Sequence, residues 1–162
     1  MSLWSNRLSR KIQAHHDATC RGAAAVEMAI LSPLLILLTV GVVEYGRTIE
    51  QANAVEKGLE VAGQFAARAT YPMTATEVTR LNNLAKHGNK EGTGAYLVSG
   101  WDKAGASLVI TTRTVDIGGA PVVIYKLDAT VPFDPVLPGL ATSFGFMDFN
   151  IRASQEVAYV GN

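Results

Sequence analysis

The sequence predicts an α+β protein in which a long N-terminal transmembrane helix continues into an extracytoplasmic head with a small antiparallel sheet. Three observations predict it. Residues 28–43 form a run of 16 without a charge. Apolar residues then recur at steps of three and four from Tyr45 to Ala69. From Leu108 onward the pattern changes to alternation, in β-branched segments separated by glycine and proline. A length of 162 residues suits one folded domain. The expected division is a basic cytoplasmic leader at 1–22, a transmembrane helix at 23–43 and a head at 44–162.

The leader holds Arg7, Arg10, Lys11 and Arg21 against Asp17. Of 14 basic and 14 acidic residues in the chain, 10 and 13 therefore lie beyond it. Binding a phosphate backbone wants clustered positive charge, so no nucleic-acid partner is expected. Lys and Arg beside a membrane span stay in the cytoplasm. The leader is thus expected inside and residues from about Glu44 outside. The single cysteine, Cys20, lies in the leader, so the head must fold by packing without a disulfide. His15, His16 and Cys20 offer metal ligands on paper, but three candidates on a short polar tail read more simply as a disordered leader. No cofactor or metal is expected.

Ala23 to Val26 extend the apolar run backwards, so that 23–43 is apolar except for Glu27. About 20 apolar residues cross a bilayer core as a helix. A carboxylate inside such a segment is costly and by default marks a function. The plainer reading is a carboxylate at the headgroup boundary, reaching into water. A secretory signal is a poorer fit. Its cleavage site should follow Val43, where Glu44, Tyr45, Gly46 and Arg47 stand. The nearest small-x-small triplet, Ala52-Asn53-Ala54, lies well past the run. An uncleaved signal anchor is the more serious rival.

Past Val43, the residues Tyr45, Ile49, Ala52, Val55, Leu59, Ala62, Phe65 and Ala69 form one face of an amphipathic helix. No proline separates it from the span, so one helix is expected from about Ala23 to Ala69. At 1.5 Å per residue its length is about 70 Å. Pro33 removes a backbone hydrogen bond and should loosen the helix near Ala29. Gly41, Gly46, Gly58 and Gly63 give no GxxxG spacing and read as points of bending or local packing. Leu59 and Phe65 are the expected core positions of this helix.

Tyr71-Pro72 stops it. A second helix is expected from Ala75 to His87, with Thr74 and Glu77 at capping-box spacing and Gly88 as its C-terminal cap. Asn89 to Gly94 is a connection without phosphate-loop spacing. A short strand at Tyr96–Ser99, strands at Leu108–Val115 and Val122–Val131 joined by a turn, and a last strand at Asp148–Tyr159 complete the sheet. Pro132 to Leu140 is too rich in proline for a strand. Val123, Tyr125, Leu127, Ala129 and Val131 share one face, and the long helix is its natural cover.

Gly22, four small or apolar residues, Glu27 and then a greasy helix give the layout of a type IV prepilin. The R-G-A-A-A-V-E-x-A opening, Pro33 and the E-Y-G-R exit at Glu44–Arg47 resemble the TadE-like minor pseudopilins of the tight-adherence (Flp-type) pilus family. A second, looser resemblance is the Val131-Pro132-Phe133-x-Pro135-x-Leu137-Pro138-Gly139-Leu140 segment before the last strand. Met28 departs from the aromatic that commonly follows the Glu, but it is still apolar. The resemblance implies a pilin-like fold and a precursor cut by a prepilin peptidase between Gly22 and Ala23. It implies that Glu27 pairs with a neighbour's new N-terminus during assembly, and that Met28, Pro33 and Val43 belong to the membrane helix. Implied partners are the prepilin peptidase, the major pilin, other minor pseudopilins, the pilus assembly platform and membrane lipid. Implied roles are pilus assembly, surface adhesion and biofilm formation, from the bacterial cytoplasmic membrane. The rival is a signal-anchored envelope binding module that does not polymerise.

No G-x-S-x-G, H-E-x-x-H or paired-cysteine motif is present. His87 sits at a predicted helix end. Asp128 and Asp134 are close in sequence but have no partner to name. Trp101-Asp102 reads as a packing tryptophan before a binding tip. An enzyme is therefore not expected.

Overall fold

The computed structural model describes residues 2–139 and 149–161, with side chains from Gly22 onward. The side chains of the leader, His15, His16 and Cys20 among them, lie outside the described residues, as do Leu140 and Asp148. The chain divides into two compact units, residues 1–43 and 44–162.

Helix α1 runs Ser2–Ala66. It therefore includes the leader, which was expected to be disordered. Residues 2–21 contain neither glycine nor proline, so nothing local breaks the helix there. Pro33 lies within α1 without ending it. In the first unit the apolar run is long and hydropathic enough to cross a bilayer, and its most apolar window is unburied. Every residue from Gly22 to Val43 is exposed except the half-buried Ser32 and Val40. A predominantly apolar, uncovered helix is the pattern expected of a segment whose solvent is lipid. At its other end α1 stops at Ala66 rather than Ala69. Arg68 N–H donates to Phe65 O and Ala69 N–H to Ala66 O, at 3.1 and 3.3 Å. These tighter bonds close the last turn before Tyr71-Pro72.

The second unit is the head. Helix α2, Ala75–His87, has the capping box expected from its sequence. Thr74 N–H donates to the Glu77 carboxylate at 2.8 Å, and Glu77 N–H donates to the Thr74 hydroxyl at 3.3 Å. Gly88 takes the left-handed conformation (φ 73°) that a C-terminal cap requires, and its N–H reaches Leu84 O. Glu77 does more than cap. It also accepts from the hydroxyl and N–H of Thr70, at 2.6 and 3.0 Å, and so ties the end of α1 to the start of α2. These Thr70 bonds, followed by those from Thr74, hold its carboxyl at about 2, against an ordinary 4.5. A depressed carboxyl adds stability that is complete above its unfolded value and lost as pH falls towards its folded one. The melting temperature of the head should therefore fall as pH drops from about 4.5 to about 2. Glu77→Gln should flatten that slope in a thermal-melt series against pH.

Three strands follow: β1 Ser107–Ile117, β2 Ala120–Pro132 and β3 Asn150–Ala158. They pair antiparallel in the order β1-β2-β3. Gly118 and Gly119, both at positive φ, make the two-residue turn between β1 and β2, and Asp116 accepts from Gly119 N–H at 2.7 Å. Tyr125, Leu127, Ala129 and Val131 point into the core from β2, the face that alternation predicted. Ile151 joins them from β3, with Ala153 and Val157 half-buried beside it. Val55, Leu59, Ala62 and Ala66 of α1 and Leu81, Leu84 and Ala85 of α2 supply the helical side of this core. Gly58 lets α1 and α2 approach closely, since a side chain there would collide with the backbone oxygen of Ala85.

Two expectations fail here. Tyr96–Ser99 is not a strand. Leu97 N–H is drawn to Lys86 O at 2.8 Å, and the chain then turns into a 3-10 helix, Ser99–Asp102. Gly100 passes so close to Pro132 O that no side chain would fit, which leaves Trp101 5% exposed in the core. The face of α1 in its first turns after Val43 also differs from the expected one. Tyr45 and Ile49 are exposed, whereas Glu44 and Gln51 are buried.

Candidate functional site

Gly22, Ala23, Glu27, Met28, Pro33 and Val43 all lie on α1, and all are exposed. Ala23 and Glu27 are four residues apart, about one helical turn. On the same helix, positions 24, 30 and 31 are Ala, Ile and Leu, so the neighbouring turns offer Glu27 no cation.

A second cluster, within the head, was not foreseen. Its scaffold is the face of α1 formed by Glu44, Thr48, Gln51 and Val55, at steps of four, three and four. This face is polar where it meets the segment after β2, because what it meets there is backbone. The Glu44 carboxylate, 2% exposed, accepts from Val136 N–H at 2.8 Å and Leu137 N–H at 3.1 Å. Gln51 forms a two-way pair with Asp134. Its amide donates to Asp134 O at 2.9 Å, and its carbonyl accepts from Asp134 N–H at 3.2 Å. Arg47 donates to the same Asp134 O at 3.2 Å. Pro132, expected outside the sheet, is the last residue of β2 and pairs with Asn150; beyond it the amides of Asp134, Val136 and Leu137 need other partners, and α1 supplies them.

Asp134 closes the cluster from the other side. Its carboxylate accepts from the Ser99 hydroxyl and pairs with Lys103. The Lys103 ammonium above all, then the Ser99 hydroxyl and, more weakly, the Arg47 charge hold its carboxyl below the usual carboxylate range. Lys103 also reaches Phe133 O at 3.3 Å. The E-Y-G-R motif and the proline-rich V-P-F-D-P-V-L-P stretch thus form one hydrogen-bonded unit, although about 90 residues separate them. The signal for this was the polar 44-48-51 spacing that runs into the apolar face. A search for apolar periodicity passes over it.

His87 stacks on Tyr96 with ring centroids 4.4 Å apart, in a packing role. Asp128 pairs with Lys126 at 3.0 Å on the wet face of the sheet. Among the described residues, no group of three or more His, Cys, Asp or Glu is placed to hold a metal ion.

Among the described residues, one apolar, uncovered helix near the N-terminus is long enough to cross a membrane and is followed by an α+β head, which supports a membrane-anchored, single-pass protein. Comparison with known families narrows this. The model of the family described as TadE-like protein matches residues 22–64. The matched segment starts at Gly22, includes Glu27, Pro33 and the whole E-Y-G-R motif, and ends two residues before α1 does. The sheet lies outside it. No curated protein and no solved structure matches the chain.

Proposed function

We propose that the chain is the precursor of a minor pilin-like subunit needed to assemble a tight-adherence pilus. It enters the cytoplasmic membrane with its basic leader inside and its head outside. A prepilin peptidase cuts between Gly22 and Ala23. The trimmed protein then joins or supports the pilus with the major pilin, the other minor pseudopilins and the assembly platform, and so serves surface adhesion and biofilm formation. Its role is structural. The observation that carries this reading is a coincidence of boundaries: the TadE-like match begins at Gly22, the residue before the exposed apolar stretch 23–43 of α1, whose one carboxylate is Glu27.

A second observation supports the cut. A side chain added at Gly22 would meet nothing within 4 Å, so packing in the described chain does not require a glycine there. Its value then lies outside the fold, as a residue whose backbone can be drawn extended into a tight active site. The expected product begins at Ala23, with the sequence AAAVEM. N-terminal sequencing of the protein from membranes of a strain with an active prepilin peptidase checks this. An intact leader would favour the uncleaved signal-anchored envelope module instead.

A further inference from the structure

We propose that the segment after β2 is a membrane-contact element, with Val136 and Leu137 seated in the interfacial layer of the bilayer beside Tyr45. The inference rests on the reading of residues 23–43 as a bilayer span.

The argument is one of distance. The apolar run ends at Val43, so Glu44 is the first residue at the level where the span leaves the hydrocarbon. Val136 N–H and Leu137 N–H are 2.8 and 3.1 Å from the Glu44 carboxylate. Whatever the direction in which the head leans, these two residues remain within a side chain's length of that level. Their own side chains are only partly covered by the head: Val136 is 49% exposed and Leu137 40%. Tyr45, next to Glu44, is 70% exposed, and tyrosine favours the boundary between lipid and water.

The treatment of Glu44 fits the same setting. A carboxylate beside hydrocarbon loses hydration and needs replacement donors. Glu44 has two, both backbone N–H groups on Oε1, and it is almost fully buried, with Oε2 lacking a hydrogen-bond partner among the described residues. The loop thus puts its amides inward on the charge and two apolar side chains outward. In bulk water the exposed apolar half of that arrangement would gain nothing. At a bilayer surface each apolar side chain gains by leaving water.

The test uses the full chain with Cys20→Ser, reconstituted in phosphatidylcholine vesicles. A polarity-sensitive nitrobenzoxadiazole fluorophore is attached at a single introduced cysteine. Val136→Cys and Leu137→Cys are the test sites, and both side chains are exposed enough to be replaced without opening the core. Ile117→Cys, at the tip of the β1–β2 hairpin, is the water-facing control. Its partner Ala120 lies 12 residues along β2 from Pro132, roughly 40 Å at the rise of a strand. Leu35→Cys reports the span itself. The expected result is blue-shifted emission at 136 and 137, quenched more by nitroxide on the lipid headgroup than by nitroxide at the acyl-chain end. Ile117→Cys should show neither effect, and Leu35→Cys should favour the chain-end quencher. Emission at 136 and 137 matching that at 117 would overturn the inference, as would a blue shift that no lipid quencher touches, because protein would then be the cover. Failure at Leu35 would instead overturn the span and the inference with it.

Discussion

Glu27→Ala is expected to yield a protein that still inserts and still loses its leader, yet does not support piliation. The reasoning starts from the cost of the carboxylate. A charge in hydrocarbon must be neutralised or matched. The turns on either side of Glu27 provide Ala, Ile and Leu and no cation. Cleavage after Gly22 would create one, the α-amine of Ala23, which is mostly charged at neutral pH. On the same helix that amine is about 6 Å away along the axis. On a neighbouring subunit shifted along the axis it could come closer, which is the pairing that the family resemblance implies. Glu27→Asp, shorter by one methylene, should be partly defective. Electron microscopy of surface pili, with immunoblots for insertion and leader loss, reads all three properties. Normal piliation of the Ala variant at normal protein level would leave Glu27 as a headgroup-boundary residue with no part in assembly.

Leu59→Ala should cause the largest loss of stability in the head. Leu59 is 1% exposed, at the centre of a core shared by α1, α2 and the sheet. Truncating such a leucine costs about 2–5 kcal/mol, from lost burial and from the cavity left behind. In a domain of this size that is a fall in melting temperature of roughly 10 °C or more. Phe65→Ala should cost less. Phe65 is only partly buried, with the Lys90 ammonium over its ring at 5.6 Å. Thermal melts of a fragment beginning at Glu44, where the second unit begins, would rank the two variants. Equal melting temperatures for Leu59→Ala and the parent would mean that α1 does not pack as described.

The difference between Leu59 and Phe65 shows where the sequence is legible. Both fall on the predicted apolar face, but periodicity gives the direction of a side chain and not the depth of what it meets. The core face of β2 was readable because a strand half in a core must alternate, and Tyr125 to Val131 do, although the strand runs Ala120–Pro132 and not Val122–Val131. The α2 boundaries were readable because Thr74, Glu77 and Gly88 satisfy backbone groups locally, within one turn. The second cluster was not readable, for the opposite reason. Glu44, Arg47 and Gln51 bind the backbone of residues 134–137, and a backbone amide looks the same whatever residue carries it. Both halves of the cluster stand out as separate motifs, and nothing in either names the other. The turn at Gly100 escaped similarly: its cause is the nearness of Pro132 O, a contact across β2 that no local pattern encodes.

The order of the elements along the chain sets a problem in time. The core side of α1 is made first, and the strand that closes the sheet, β3, starts only at Asn150. Val55, Leu59, Ala62 and Ala66 must therefore wait through almost all of the head's synthesis before their last partners exist. Contacts so distant in sequence form late and slowly. In the interval the chain carries an apolar helix stripe and the open edge of a two-stranded ribbon, both prone to wrong association. Without a cysteine beyond residue 22, no cross-link can hold a partly built head together. A chain cut short before β3 should consequently fail as a whole rather than lose one strand, and would be a ready substrate for proteases.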